Sequence, residues 1–343
     1  MKAAVLHGSR DLRIEEVPTP MGPRPYEVIL KVEYVAICGT DIHLYTGHIP
    51  AKTPVILGHE YVGRVFMVGP GVRGFKPGDR VMGSYVISCG SCRFCTIGKP
   101  QLCERRILFG INFDGAFAYF MRVPFAERVL VKIPDDLDFR DAVLIPDMFL
   151  TAFYAVERSV RPGDYVLVTG LGAVGLSTVI AAKYAGASLV IGVDVRDKPL
   201  QIAKEVGADY VIDARKENVV DSVRRSTDGL GVHVALEASG APPAVKAALE
   251  SVRPGGKHVQ IGIVGKPIDL DLKYISSLEK EIIGILNPGT PIHIRRAMNF
   301  IKPRIEVLRK LVTHEFRFNE LVKAIEIAEK KIGDPVKIVI KVH

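Results

Sequence analysis

The spacing of apolar residues along the chain changes near residue 149. Before it, short alternating or apolar runs at 27–35, 61–68 and 80–86 are separated by Gly-Pro turns, which is typical of β-strands. After it, apolar runs alternate with helical patterns. The predicted strands span 165–169, 189–194, 210–212, 232–236 and 258–261, and the predicted helices span 173–185, 199–206 and 243–252. This alternation indicates βαβ units around a parallel sheet.

The pattern after Pro288 predicts two more helices, at 292–300 and 319–332, and a closing strand at 335–342. We place this last part with the first domain. The predicted domains are therefore residues 1–146 with 288–343, which are β-rich, and residues 147–287, in which strands and helices alternate. The predicted fold class is α/β, a Rossmann doubly wound parallel sheet plus the β-rich domain. A chain of 343 residues is long enough for both.

The formal net charge of +8 changes this picture little. Lys and Arg are scattered along the chain, so we expect no nucleic-acid partner and interpret the excess positive charge as a general bias that also suits a small anionic ligand. Residues 165–182 contain no charged residue, but their glycines favour a strand, a turn and a packed helix over a membrane span. Residues 1–8 lack the apolar run of an export signal. We therefore expect a cytoplasmic protein without a membrane partner.

A glycine-rich motif joins the predicted strand at 165–169 to the helix after it. Its first glycine permits a tight turn, its second lets a pyrophosphate approach the backbone, and its third lets helix and strand pack closely. The N-terminus of the helix then offers free N–H groups to the phosphates. The predicted cofactor-binding residues of this motif are Gly170, Gly172, Ala173, Val174 and Gly175.

The choice of dinucleotide depends on the end of the next predicted strand. Asp194 lies there, 24 residues after Gly170, near the ~20 expected for the carboxylate that accepts the ribose hydroxyls. A carboxylate repels a 2′-phosphate, so the sequence favours NAD over NADP, although Arg196 could soften the preference. The alternative is that Asp194 only caps the next turn.

Four of the five cysteines form one cluster, in a lobe of about residues 88–104. Cys89, Cys92, Cys95 and Cys103 have the spacing C-x2-C-x2-C-x7-C, which lets four thiolates close a tetrahedron around one Zn²⁺. Such a closed site has no position for a substrate and is structural. The alternatives are disulfides, which fit a reducing compartment poorly, and an iron–sulfur cluster, whose known spacings differ.

The fifth cysteine, Cys38, lies in the motif C-G-T-D-x-H, and the motif G-H-E-x-x-G follows at residues 58–63. A single free cysteine or histidine is more often a core residue than a ligand. Their order, together with the four-cysteine lobe and the dinucleotide motif, resembles the medium-chain zinc alcohol dehydrogenase family over essentially the whole chain. The resemblance implies two domains, one of them a GroES-like catalytic domain, with a catalytic zinc in the cleft.

Position by position, the resemblance places Cys38 and His59 on two ligands of the catalytic zinc. Liver-type enzymes have a second cysteine as the third ligand, but the segment Ile145–Met148 resembles the I-P-D-M segment of microbial secondary-alcohol dehydrogenases. Asp147 is therefore the predicted third ligand, and its charge with that of the thiolate balances Zn²⁺. The alternative is that Asp147 caps a helix. Glu60 is similar to a glutamate that either enters the family's metal shell or orients the site.

The resemblance also implies a catalytic proton relay from the substrate oxygen through Thr40 and the cofactor ribose to His43. The alternative is that Thr40 caps a turn and His43 lies at the surface. The predicted enzyme transfers a hydride between a small secondary alcohol or polyol and NAD, uses two Zn²⁺ per chain, and is a homotetramer or a dimer. Threonine, sorbitol or butanediol dehydrogenase activity is the alternative within the family. A non-catalytic zinc-stabilised NAD-binding protein is the alternative of another class.

Overall fold

The computed structural model describes residues 1–343, apart from the side chain at position 274. The chain forms two compact units. The first contains Met1–Asp147, Pro288–Ile305 and Val312–His343, and the second contains Met148–Asn287 and Glu306–Leu311. Two details differ from the division expected from the sequence: Asp147 belongs to the first unit, and the short segment Glu306–Leu311 belongs to the second.

The first unit is built mainly from strands. They are β1 (Lys2–Gly8), β2 (Asp11–Glu16), β3 (Val28–Ile37), β4 (Val55–Ile56), β5 (Glu60–Val68), β6 (Arg80–Gly83), β7 (Val86–Ile87), β8 (Ile107–Leu108), β9 (Phe120–Val123) and β10 (Leu130–Lys132). Its helices in this part are α1 (Gly39–Tyr45), α2 (Arg93–Thr96) and α3 (Phe139–Ala142). The strand predicted over 80–86 is two short strands, interrupted by a backbone bend at Tyr85, where the Ser84 hydroxyl accepts a hydrogen bond from the Val86 N–H (3.0 Å).

The second unit alternates strands and helices as the apolar pattern predicts. It contains α4 (Leu150–Ser159), β11 (Tyr165–Thr169), α5 (Ala173–Tyr184), β12 (Leu189–Asp194), α6 (Asp197–Val206), β13 (Tyr210–Asp213), α7 (Val219–Arg225), β14 (Val232–Glu237), α8 (Pro242–Ser251), β15 (Val252–Gln260), α9 (Lys273–Ser276) and β16 (Glu281–Gly284). The C-terminal part adds α10 (Pro291–Ile301), α11 (Ile305–Arg309), β17 (Val312–Arg317), α12 (Leu321–Lys330) and β18 (Lys337–Lys341).

The six-stranded sheet of the second unit has the order β13-β12-β11-β14-β15-β16, and all its pairs are parallel. This is the 3-2-1-4-5-6 order of a doubly wound Rossmann sheet, in which ligands bind beyond the carboxyl ends of the strands. The central strands β12, β11 and β14 are apolar and almost fully buried because helices cover the faces of such a sheet, whereas the edge strand β16 is largely exposed. In the part of the chain that the structure describes, no helix combines the length and apolarity needed to cross a membrane.

The seven-stranded sheet of the first unit has the path β10-β6-β5-β3-β18-β17, with β9 also paired to β3. Strand β3 pairs with β5 so that Ala36 faces Glu60, and it pairs with β18 so that Ile37 faces Ile338. The end of β3, the start of β5 and the start of β18 therefore lie side by side. Functional side chains attached near these three points are brought close together by the sheet.

Candidate functional site

Four side chains converge where β3 ends and β5 begins. One ligand-type atom from each of Cys38, His59, Glu60 and Asp147 lies within 4.8 Å of the other three. The distance from Cys38 Sγ to Asp147 Oδ2 is 3.6 Å, and that from His59 Nε2 to the same oxygen is 3.8 Å. Sulfur, nitrogen and oxygen ligands of a tetrahedral Zn²⁺ lie ~3.3–3.8 Å apart, given bond lengths of ~2.0–2.3 Å. The donor set and its spacing therefore fit a zinc ion.

The four side chains are attached at strand ends or in a helical turn, with Glu60 as the first residue of β5. Cys38 follows β3 directly and precedes α1, and His59 directly precedes β5. Asp147 lies within a π-helical turn, Ile145–Phe149, a rare conformation that is frequent at functional sites. The N-cap residue of helix α4 is Phe149. Asp147 therefore does not cap this helix, which was the alternative role predicted for it.

Asp41, to which the sequence analysis gave no role, connects two of the candidate ligands. Its Oδ1 lies 3.0 Å from His59 Nδ1, and its Oδ2 accepts a hydrogen bond from the Cys38 N–H at 2.9 Å. The side chain is fully buried. Because a carboxylate accepts the proton of Nδ1, the Nε2 lone pair of His59 is left for a metal. The signal was present in the sequence, since Asp41 is the fourth residue of the C-G-T-D-x-H motif.

The same contacts set the protonation of the cluster without a metal. Burial lowers the pKa of His59, but Asp41 and then Cys38 outweigh it and hold that pKa well above its ordinary value. Burial, followed by the Asp147 charge, raises the pKa of the Cys38 thiol. A metal ion that replaces these protons removes the conflict between buried charges, which is why such sites couple metal binding to proton release.

Glu60 has a buried cationic partner, Lys337, at the start of β18. The Lys337 ammonium donates to Glu60 Oε2 and to the Ile37 carbonyl oxygen (3.2 Å), and both side chains are fully buried. Burial raises the pKa of Glu60 to about 7 against the opposing charge of Lys337. Among the described residues, none forms a hydrogen bond with Glu60 Oε1, which is also buried. This orphaned oxygen beside three ligand atoms is a further sign that the cluster accommodates a cation. A lone lysine in an apolar strand gave no signal in the sequence.

The two residues of the expected relay lie at different places on α1. Thr40 Oγ1 is 3.8 Å from Cys38 Sγ, at the edge of the cluster. His43 is exposed, and its ring lies edge-to-face to that of His48 with centroids 5.9 Å apart. Partial burial of the ring, then the charges of His48 and Lys331, lower the pKa of His43, which favours the neutral imidazole. The structure therefore brings Thr40, but not His43, to the candidate ligands.

The four remaining cysteines form a second cluster in the first unit. The sulfur atoms of these four cysteines all lie within 4.8 Å of one another, and none of them forms a disulfide. The sulfur of Cys95 is 3.5 Å from that of Cys92 and 3.9 Å from that of Cys89. The corresponding edge of a zinc tetrahedron is ~3.8 Å. N–H groups of Ser91, then Cys92, lower the pKa of Cys89 to about 5 despite the opposing effect of burial, as a metal thiolate requires. The cluster fits a closed Zn²⁺ site.

The glycine-rich motif connects β11 to α5 in the second unit. Gly170 has φ +82°, and a Cβ there would meet the backbone and side chain of Ser239. A Cβ on Gly175 would overlap the Gly170 carbonyl oxygen, so this glycine is required for close packing of helix on loop. A Cβ on Gly172 would meet open space. Ala173 and Val174 form the first turn of α5, whose N–H groups are therefore available to a phosphate.

Asp194 lies at the carboxyl end of β12 and is buried. Its Oδ2 accepts a hydrogen bond from the Leu171 N–H of the glycine-rich loop (2.7 Å), and its Oδ1 accepts from the N–H groups of Val195 (2.8 Å) and Arg196 (3.0 Å). The Arg196 guanidinium also contacts Oδ1, with Nε at 3.3 Å. The turn-capping role that was the alternative for Asp194 is thus present, and the same contacts fix its carboxylate against the loop that would hold the pyrophosphate.

The profile of the alcohol dehydrogenase GroES-like domain matches residues 24–135, and that of zinc-binding dehydrogenase matches residues 173–302. The chain is 35% identical to the sorbitol dehydrogenase of Halalkalibacterium halodurans, with 99% of each chain covered. It is 34% identical to the L-threonine 3-dehydrogenase of Sinorhizobium medicae, with 90% of each covered.

Among solved structures, alcohol dehydrogenase TADH from Thermus sp. ATN1 is similar over 100% of both chains, with a TM-score of 0.94 and 32% sequence identity. The predicted resemblance is confirmed, and so is the fold class of a Rossmann sheet with a GroES-like domain. Whole-length identity above 30%, together with two family profiles that match most of the chain, shows that it belongs to the zinc-dependent medium-chain alcohol dehydrogenase family.

Proposed function

We propose that this polyol or alcohol oxidoreductase acts on small secondary alcohols or polyols, with Cys38, His59 and Asp147 as ligands of its catalytic Zn²⁺ and NAD as its cofactor. The observation that carries the proposal is the buried convergence of a thiol, an imidazole and a carboxylate within 4.8 Å. When bound, the zinc ion supplies Lewis acidity toward the substrate's hydroxyl oxygen and NAD accepts the hydride. Three protein ligands leave a fourth position open for the substrate, as in other catalytic zinc sites.

The residues around these ligands have separate roles in the proposal. Asp41 orients His59 and fixes the backbone of Cys38. Glu60, held by Lys337, is a positioning residue that the metal can also recruit as a ligand. Thr40 stands at the edge of the cluster, where its hydroxyl can accept the substrate proton and pass on its own. His43, exposed and neutral, is the residue from which that proton reaches solvent.

NAD is proposed over NADP because of Asp194. Its buried carboxylate already accepts three backbone hydrogen bonds, which fix it at the end of β12. A fixed negative charge there accepts the ribose hydroxyls and disfavours a 2′-phosphate. Arg196 is engaged with the same carboxylate and is therefore less available to a phosphate.

A second Zn²⁺, bound by the four cysteines, completes the proposed cofactor content of two ions per chain. Thiolate ligands must remain reduced, which supports a cytoplasmic location.

A homotetramer, with a dimer as the alternative, rests on the family resemblance, and light scattering of the purified chain would decide it. Sorbitol, butanediol and L-threonine remain candidate substrates within the family, because the names of the relatives include more than one of them.

The experiment is a substrate panel read by the absorbance of the reduced nicotinamide. It compares 2-propanol, 2,3-butanediol, sorbitol and L-threonine, each with NAD and with NADP. We expect turnover of at least one secondary alcohol or polyol, a higher kcat/KM with NAD, and loss of turnover in Cys38→Ser. Exclusive oxidation of L-threonine would shift the proposal to the alternative activity. No oxidation of any compound by a fully zinc-loaded chain would favour the non-catalytic NAD-binding protein.

A further inference from the structure

The four-cysteine lobe contains an arginine whose guanidinium contacts one of the four sulfurs. Arg105 follows Cys103 by two residues. Its Nη2 lies 3.5 Å from Cys89 Sγ and 3.0 Å from Ser91 Oγ. Ser91 Oγ is itself 3.8 Å from the same sulfur. Because the Ser91 hydroxyl accepts a hydrogen bond from Arg105, its own proton can point toward Cys89 Sγ. The guanidinium and the hydroxyl therefore both donate to the same sulfur.

The other hydrogen bonds to the lobe sulfurs come from the backbone. Cys89 Sγ accepts from the N–H groups of Ser91 (3.5 Å) and Cys92 (3.3 Å), and Cys103 Sγ accepts from those of Cys89 (3.2 Å) and Arg105 (3.4 Å). These donors carry only partial charge. Among the residues that the structure describes, only one side-chain cation lies within hydrogen-bond distance of a lobe sulfur, the guanidinium of Arg105.

Electrostatics explains why a full positive charge belongs here. Four thiolates around one divalent cation leave a net charge of ~−2 on the site. Between residues 89 and 106 only Cys92, Gln101 and Cys103 are buried, so the lobe has little apolar core and depends on its metal for structure. A nearby cation lowers the energy of the metal-loaded thiolates relative to the protonated, metal-free thiols.

We infer that Arg105 is a positioning residue of the four-cysteine site: its guanidinium holds the Cys89 thiolate and Ser91 together and slows the loss of the structural ion. This inference rests on the proposed second Zn²⁺. Arg93 is the matched comparison, because it is an arginine of the same lobe whose guanidinium pairs with Glu104 (2.8 Å) and stacks on Phe94.

The experiment measures zinc release from the full-length chain to a chromophoric chelator in excess. All variants are made in a Cys38→Ser background, so that the lobe holds the remaining zinc ion. We expect Arg105→Gln to release zinc about fivefold faster than the parent, which is the upper range for an exposed charge interaction. Arg105→Lys should be intermediate, because an ammonium keeps the charge but lacks the fork that reaches both partners. Arg93→Gln should match the parent.

Salt provides a second readout that a purely steric role would not change. Near 1 M salt the Debye length falls to ~3 Å, which screens the guanidinium charge. The zinc-release rates of Arg105→Gln and of the parent should therefore become more nearly equal. Equal release rates for Arg105→Gln and the parent, or equal acceleration by Arg93→Gln, would overturn the inference. If Arg105→Gln cannot be loaded with zinc, Arg105→Lys decides: faster release than the parent supports the role, and an equal rate contradicts it. A zinc-free Cys38→Ser chain would overturn the metal assignment itself.

Discussion

A single buried carboxylate, Asp41, fixes two ligands of the proposed catalytic zinc at once. It bonds the backbone of Cys38 and the far nitrogen of the His59 ring, so the sulfur and Nε2 of these residues share one support. A ligand whose second nitrogen is held by a carboxylate is both better oriented and more basic.

Replacing Asp41 with Asn should therefore weaken zinc binding at the Cys38 site. The amide keeps the size and one acceptor, but loses the charge that favours the Nε2 lone pair, and we expect a loss in zinc affinity of about 10–100-fold. Competition with a chelator measures it. Asp135→Asn, at a fully exposed position of the same unit, is the control and should leave the affinity unchanged. Equal affinities in Asp41→Asn and the native chain would remove Asp41 from the site.

The proposed relay makes a pH prediction through His43. Its pKa is lowered by burial and then by His48 and Lys331. A proton acceptor must be neutral, so turnover should rise with pH through this pKa and fall below it. His48→Gln removes one of the lowering charges, so the acidic limb of the kcat profile should move to higher pH, with unchanged kcat on the plateau. A limb that stays in place, or moves to lower pH, would exclude His43 as the acceptor.

At the level of elements, two glycines of the glycine-rich turn are needed for different reasons, one for packing and one for binding the cofactor. Gly175 packs against the Gly170 carbonyl, whereas Gly172 faces open space where a pyrophosphate would approach. Gly175→Ala should lower the free energy of unfolding by about 1–3 kcal/mol. Gly172→Ala should keep that stability and raise the Kd for NAD. Thermal unfolding and NAD titration of the two variants test this; the reverse assignment of the two effects would contradict it.

How far the sequence predicted the structure depends on the range of the interaction. The strands at 165–169 and 189–194 and the turn between β11 and α5 follow from apolar runs and glycines within a few residues, and the structure has them there. The strand predicted at 258–261 instead begins at Val252, before two glycines that hide its period. Lys337 could not be assigned at all, because its partner Glu60 is 277 residues away and only the β3–β18 pairing brings them together.

For the whole molecule, the fold brings the proposed zinc ligands together from distant parts of the chain. Cys38 and Asp147 are 109 residues apart, yet their sulfur and carboxylate oxygen lie 3.6 Å from each other. The family resemblance predicted both residues as zinc ligands. Their contact depends on the turn after β3 and on a π-helical turn, which local propensity does not predict.

Anomalous diffraction at the zinc absorption edge, from crystals of the zinc-loaded chain, locates the catalytic ion directly. We expect a peak at ~2.3 Å from Cys38 Sγ and ~2.0–2.2 Å from His59 Nε2 and Asp147 Oδ2, with a second peak among the four lobe sulfurs. A zinc-loaded chain without density at the first position, or with Asp147 turned away from that ion, would contradict it.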